Sequence, residues 1–136
     1  MRVDFFADLY GALSSVPEQR IFLFMAGKRL GKRHADAIAK SEDVAPLKDF
    51  FRQESLGKLE AKSLDAKNGR FTFVLEDSPF KTALKRPCCN VASGLLAGYV
   101  EGVYKRYAGA KETRCVSQGD SHCEFDVQVI GKDIIA

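Results

Sequence analysis

Three short stretches decide how this chain folds: CNVASGLLAG at residues 89–98, ETRC at 112–115 and GDSHCEF at 119–125. They contain three of the four cysteines. The fourth is the neighbouring Cys88, and the first 87 residues contain none. The stretches fall at the ends of predicted elements, where side chains from distant positions can meet. Cysteines clustered in this way indicate a metal site, a disulfide or a group of buried thiols.

The composition is that of one soluble globular domain spanning residues 1–136, with 46% hydrophobic and 29% charged residues. The formal net charge of +3 is too small to predict a nucleic-acid partner. No apolar run approaches the roughly 20 residues of a membrane span. The acidic residues near the N-terminus are not typical of a signal peptide. We therefore expect a cytoplasmic protein without a membrane partner, in which disulfides are disfavoured.

Helical periodicity predicts three helices. The first is predicted from Glu18 to about Lys40, the second from Pro46 to about Ser55, and the third from about Cys88 to Tyr107. The run from Lys28 to His34 in the first helix is interpreted as a solvated basic face, and His122 as a surface histidine.

Glycines recur every four residues in the first and third predicted helices. Each glycine costs about 1 kcal/mol of helix propensity relative to alanine. A repeated stripe therefore indicates that another backbone packs closely against it. The glycines are Gly27 and Gly31 in the first helix, and Gly94, Gly98 and Gly102 in the third.

A first β-hairpin is predicted from Leu59 to Glu76. Asn68-Gly69 favours a two-residue type I′ turn, because both residues tolerate positive φ. Such a turn would pair Leu64 with Phe73 and Ala66 with Phe71. The same register predicts one apolar face, made of Leu64, Ala66, Phe71, Phe73 and Leu75.

A second hairpin is predicted from residues 111–116 and 122–130, around Gln118-Gly119-Asp120. Cys123, Phe125, Val127 and Val129 alternate along its second strand, as in a half-buried strand. The predicted fold class is α/β of the α+β type, in which an antiparallel sheet of hairpins packs against helices.

Zinc is one interpretation of the cysteines, because four thiolate or carboxylate ligands can surround it. Cys115 and Cys123 flank the second hairpin turn, and Cys88 or Cys89 lies at the start of the third helix, where the helix dipole favours a thiolate. Glu112 could supply an oxygen ligand. Glu112 and Cys115 are three apart, so a regular strand would separate them and the site requires a bulge. Spacing alone leaves buried thiols and a Cys115–Cys123 disulfide as alternatives.

The segment from residue 89 to residue 127 resembles the 4-vinyl reductase domain family, which is itself similar to the sensory domains of phenol- and xylene-responsive transcriptional activators. In those sensors, three cysteines and a glutamate in this order bind zinc. The resemblance also implies a fold related to subunits of the TRAPP vesicle-tethering complex, usually as a homodimer. The residues that carry it are Cys89, Gly94, Gly98, Glu112, Cys115 and residues 119–125. The zinc ligands that it implies are Cys89, Glu112, Cys115 and Cys123.

Four protein ligands would leave zinc no open position, so the expected site is structural. The first functional hypothesis is a small-molecule binding or sensory module, because the resemblance implies an apolar pocket for a hydrophobic or aromatic ligand. Without an output domain, such a module would need a partner protein or a change of oligomeric state. The residues predicted to line the pocket are Phe71, Phe73, Tyr99 and Tyr104, with Leu75 beside them; filling of the core is the alternative role.

Two other functions remain open. A scaffold or assembly subunit in the manner of the TRAPP proteins would need an apolar dimer face and no ligand. The family name implies a tetrapyrrole vinyl reductase. However, we find no nucleotide-binding glycine motif and no nucleophile–base pair, so an enzyme is the less favoured hypothesis.

Overall fold

The structure is a computed structural model that describes residues 15–38, 45–78 and 89–130, together with Leu9 and Ala12. A 3-10 turn, Val116–Gln118, precedes the last strand. None of the helices in these ranges is both long enough and apolar enough to cross a membrane. The elements in chain order are α1 (Pro17–Ile38), α2 (Ala45–Gln53), β1 (Lys58–Asp65), β2 (Arg70–Glu76), α3 (Asn90–Tyr104), β3 (Ala108–Arg114) and β4 (Cys123–Val129).

The four strands form one antiparallel sheet in the order β1-β2-β4-β3. Alternate residues of β2 and β4 face α3 and fill the core, with Phe73 opposite Phe125 and Leu75 opposite Cys123. The α+β prediction is therefore confirmed. Helix α3 is shorter than predicted, since Cys89 takes the N-cap position and Lys105 adopts a left-handed conformation that ends the helix.

The register predicted for the first hairpin is wrong. Leu64 pairs with Phe71, and Asp65 pairs with Arg70, so the loop has four residues, 66–69. The Asp65 carboxylate accepts hydrogen bonds from the backbone N–H of Asn68 at 3.1 Å and from its side-chain amide at 2.7 Å. These bonds hold the pKa of Asp65 below its usual range. This local side-chain turn competes with the two-residue turn that Asn68-Gly69 favours in isolation.

A β-bulge between Ala61 and Ser63 places Leu64 on the core-facing side of β1 in spite of the changed register. Leu64 nevertheless remains exposed, and Ala66 lies in the loop. Of the predicted apolar face, only the part on β2 is therefore fully buried.

The glycine stripes form the contact between α1 and α3, as predicted. A methyl group on Gly98, for example, would overlap the backbone carbonyl of Lys28. Because the obstacle is backbone, no side-chain rotation can relieve the overlap. The glycines that meet a main-chain carbonyl of the facing helix in this way are Gly27, Gly31, Gly94 and Gly98.

The basic run of α1 is only partly a solvated face. Lys28 forms an ion pair of 2.6 Å with the buried Glu101 of α3, and the Glu101 carboxylate also accepts the backbone N–H of Ala108 at 3.1 Å. The ring of His34 lies 4.0 Å from the ring of Phe50 in α2. These side chains tie α1 to the rest of the fold and are not available to a polyanionic partner.

Candidate metal centre and ligand cavity

The structure brings the four predicted metal ligands together. The sulfur atoms of Cys89, Cys115 and Cys123 and a carboxylate oxygen of Glu112 all lie within 4.8 Å of one another. All three cysteines are buried, and none of them forms a disulfide. The Cys115–Cys123 bridge is therefore not present in the structure. Cys88 lies outside the described residues.

Local structure aims each side chain at the same point. Cys89 is the N-cap of α3, and Cys123 is the first residue of β4. The strand β3 has an irregular register between Glu112 and Arg114, which confirms the expected bulge. The bulge brings Glu112 and Cys115 to the same side although they are three residues apart.

Cys115 is held by the loop that follows it. Its backbone N–H donates to the Asp120 carboxylate at 2.9 Å, and its carbonyl accepts the backbone N–H groups of Gln118 and Asp120. The Gly-Asp pair of the quoted motif thus has a local role. Gly119 takes the left-handed conformation that closes the turn, and Asp120 fixes the position of the thiol-bearing residue.

The sulfur positions fit a tetrahedral metal. The Sγ atom of Cys89 lies 3.5 Å from that of Cys123 and 3.9 Å from that of Cys115. Two thiolates at about 2.3 Å from a tetrahedral zinc ion would be about 3.8 Å apart. The donor set and its spacing therefore match zinc without a large rearrangement.

Glu112 supplies a second test of this fit. One carboxylate oxygen accepts the backbone N–H of Cys89 at 3.2 Å, whereas the other is buried and has no hydrogen-bond partner among the described residues. An unpaired buried carboxylate oxygen is costly. A cation at the centre of the cluster would pair with it.

The ionisation of the cluster indicates the same need for a cation. Hydrogen bonds from Cys115 and Cys123, together with burial, raise the pKa of Cys89 far above its usual range. A hydrogen bond from Cys115 raises the pKa of Cys123 to about 12, and burial raises the pKa of Glu112 to about 7. Four neighbouring acidic groups cannot all be anionic unless positive charge compensates them.

A separate apolar cavity of about 90 Å³ lies between α3 and the β1–β2 hairpin. All four predicted ligand-binding residues line it, and the rings of Phe71 and Tyr104 are 5.4 Å apart across one side. Leu75 is not in the lining; it is fully buried in the core. The lining residues are Leu64, Ala66, Phe71, Phe73, Tyr99, Val100, Val103 and Tyr104.

Sequence reasoning did not name Val100 and Val103. Their spacing from Tyr99 and Tyr104 on one helix could have identified them, because residues three or four apart share a helix face. Leu64 and Ala66 had been placed on the predicted apolar face, but with the wrong partners.

The fold and the cluster define a small α+β domain with a thiolate–carboxylate centre. Residues 71–129 match the model of the 4-vinyl reductase domain family, so the resemblance to that family is confirmed and the chain carries this domain.

Two uncharacterized proteins of Methanocaldococcus jannaschii are related to most of the chain. One is 26% identical over 113 residues, which cover 83% of this chain and 66% of the relative. The other is 31% identical over 118 residues, which cover 83% of this chain and 59% of the relative. The chain thus spans less than two thirds of the length of these relatives.

Solved structures share the fold. A vinyl-4-reductase family protein from Methanocaldococcus jannaschii has a TM-score of 0.67 at 27% identity, covering 80% of this chain and 68% of that one. The phenol-responsive sensory domain of the transcription activator PoxR with phenol has a TM-score of 0.71 at 17% identity, with coverage of 95% and 76%. A trafficking protein particle complex subunit 3 from Naegleria fowleri, covalently bound to palmitic acid, has a TM-score of 0.62 at 16% identity, with coverage of 96% and 95%. The latter two likenesses concern the fold alone.

Proposed function

We propose that this chain is a small-molecule binding or sensory module that takes a hydrophobic or aromatic ligand in the cavity between α3 and the first hairpin. The observation that carries the proposal is the cavity itself, which four aromatic side chains from the hairpin and the helix surround. The phenol-responsive PoxR domain, which has the same fold, supports it. The proposal treats residues 1–136 as a single 4-vinyl reductase-like domain that signals through a partner protein or through its oligomeric state.

The physical reason is the packing of the core. Protein interiors leave few voids larger than a water molecule, and a void lined by apolar side chains stays dry. The side chains around such a void lack contacts on one side, and an apolar ligand would restore them. A ligand of this kind would therefore stabilise the domain.

Fluorine NMR with 4-fluorophenol tests the proposal. We expect the wild-type protein to broaden and shift the fluorine signal. Val103→Phe, which fills the cavity, should abolish this effect, whereas Val74→Phe on the opposite face of the sheet should retain it. No change of the signal with wild-type protein at millimolar ligand would contradict the proposal.

The second part of the proposal is a structural zinc ion held by Cys89, Glu112, Cys115 and Cys123. The sulfur spacings and the unpaired Glu112 oxygen support it. Such an ion would clamp the start of α3 to the sheet and contribute folding free energy. A reducing, cytoplasmic location belongs to this part of the proposal, because it would keep the thiols available to the metal.

Zinc content measured after purification without added metal tests this part. We expect one equivalent of zinc per chain in the wild-type protein and in Cys88→Ser, and loss of zinc with reduced stability in Cys123→Ser. Equal loss of zinc in both variants would contradict the choice of Cys89 over Cys88.

A second candidate function is a TRAPP-like scaffold or assembly subunit, and a specific surface favours it. Four large apolar side chains on the outer side of α1 are 43–65% exposed. Contiguous exposed apolar surface is typical of protein interfaces. A homodimer formed through this surface is the corresponding proposal. The side chains are Ile21, Phe22, Met25 and Leu30.

Native mass spectrometry of two charge-introducing variants tests the dimer. Phe22→Asp should convert a dimer into a monomer. Ile130→Asp changes a similarly exposed residue away from α1 and should leave the dimer intact. A wild-type monomer, or a dimer in both variants, would contradict this interface.

A further inference from the structure

We infer that Leu64 and Tyr104 form the adjustable mouth of the cavity and set the size of the ligand that it accepts. This inference rests on the proposed ligand-binding function. It concerns which side chains move, which determines the largest molecule that enters.

The volume of the cavity requires that something moves. An engineered cavity of about 150 Å³ in another protein holds benzene, whereas the cavity in this chain measures about 90 Å³. A six-membered ring therefore fits only when at least one lining side chain shifts outward. The cost of that shift differs greatly among the eight lining residues.

Burial decides which side chains can shift. Phe71, Phe73, Tyr99 and Val100 are each at most 4% exposed and are fixed by the core. Displacing such residues would disturb close packing on every side. Leu64, by contrast, is 49% exposed, and Tyr104 and Val103 are half-buried. Rotation of these side chains displaces mainly solvent.

Topology explains why the mouth lies here. Leu64 faces the core side of β1, but β1 is an edge strand and Leu64 is its penultimate residue. Tyr104 is the last residue of α3, directly before the left-handed Lys105. Both side chains therefore lie where their element ends, on opposite sides of the same cavity.

The ring contact between Phe71 and Tyr104 defines the closed position. The two rings are 5.4 Å apart and tilted by 40°, a geometry within the favourable range for aromatic pairs. Because Phe71 is fixed, Tyr104 is the partner that moves. A bound ring would take over its contact with Phe71 and would also cover the exposed Leu64.

The inference predicts a change in ligand-size preference when Leu64 is shortened. Leu64→Ala should improve binding of the bicyclic 5-fluoroindole relative to 4-fluorophenol by about tenfold, a change typical of altered apolar pocket contacts. Tyr104→Ala should act in the same direction. Ile130→Ala removes a similarly exposed aliphatic side chain that does not line the cavity, and it should leave the ratio unchanged.

Fluorine NMR titrations of the four proteins measure this ratio, and circular dichroism verifies that each variant is folded. An unchanged ratio in Leu64→Ala, with the wild type binding 4-fluorophenol, would overturn the inference and leave the proposed function standing. The same shift in Ile130→Ala would also overturn it. Failure of every variant to bind either probe would overturn the proposed function, and the inference with it.

Discussion

At the scale of single residues, ionisation determines how the cysteine cluster can take up a metal. Thiolates and a carboxylate bind metal only in their deprotonated forms. The pKa of Cys123 is raised to about 12 and that of Cys89 still further, so both thiols are protonated at neutral pH before a metal binds. The pKa of Glu112 is raised to about 7, so its protonation changes across the neutral range.

These pKa values predict a pH-dependent release of protons. Zinc binding should release about three protons per chain above about pH 8, where Glu112 is already ionised, and nearly four below about pH 6. Affinity should accordingly fall as the pH decreases. Calorimetric zinc titrations in buffers of different protonation enthalpy measure this number. A count that does not change between these pH values would show that Glu112 is not a ligand.

The ion pair between Lys28 and Glu101 allows a second prediction at this scale. Glu101→Gln should lower the free energy of unfolding by about 1–3 kcal/mol, because the buried charged hydrogen bonds are lost while Lys28 can still reach water. Glu60→Gln breaks the half-exposed pair with Lys48 and should cost no more than about 1 kcal/mol. Urea denaturation measures both; equal effects would mean that burial does not strengthen the Lys28–Glu101 pair.

At the scale of elements, the contact between α1 and α3 depends on the absence of side chains. Gly98→Ala should destabilise the fold by about 1–3 kcal/mol or more, because the methyl group meets the Lys28 carbonyl and one backbone must move. The higher helix propensity of alanine, about 1 kcal/mol, would offset only part of this cost. Ala26→Ser adds one atom on the exposed side of α1 and should change stability by less than about 0.5 kcal/mol. Thermal or urea unfolding tests the pair, and a stabilised Gly98→Ala would contradict the packing.

Elements were predictable from the sequence where the signal was periodic. The glycine stripes indicated a close helix contact without naming the partner, and the three-residue interval between Glu112 and Cys115 indicated a bulge in β3. The first hairpin register was not predictable from Asn68-Gly69 alone. The Asp65 carboxylate captures Asn68 and lengthens the turn, and a bulge in β1 compensates. Two local interactions of similar strength competed there, and only the assembled sheet decides between them.

At the scale of the whole molecule, α3 connects the metal centre with the cavity. Cys89 caps its first turn, and Tyr104 ends it beside the cavity. The strands make a second connection, since Cys123 pairs with Leu75 and Phe125 pairs with Phe73. A metal that fixes the start of α3 would thereby hold one wall of the cavity in place. The four ligands were predictable from motif spacing and resemblance, whereas the size of the cavity was not, because it depends on how both elements pack.

X-ray absorption spectroscopy at the zinc edge, on protein purified without added metal, is the most direct test of the central claim that a closed metal centre holds this fold together. The geometry predicts one zinc ion with about three sulfur ligands at about 2.3 Å and one oxygen ligand at about 2.0–2.2 Å. A folded protein that contains no zinc, and whose three thiols react freely with an alkylating reagent, would contradict the account.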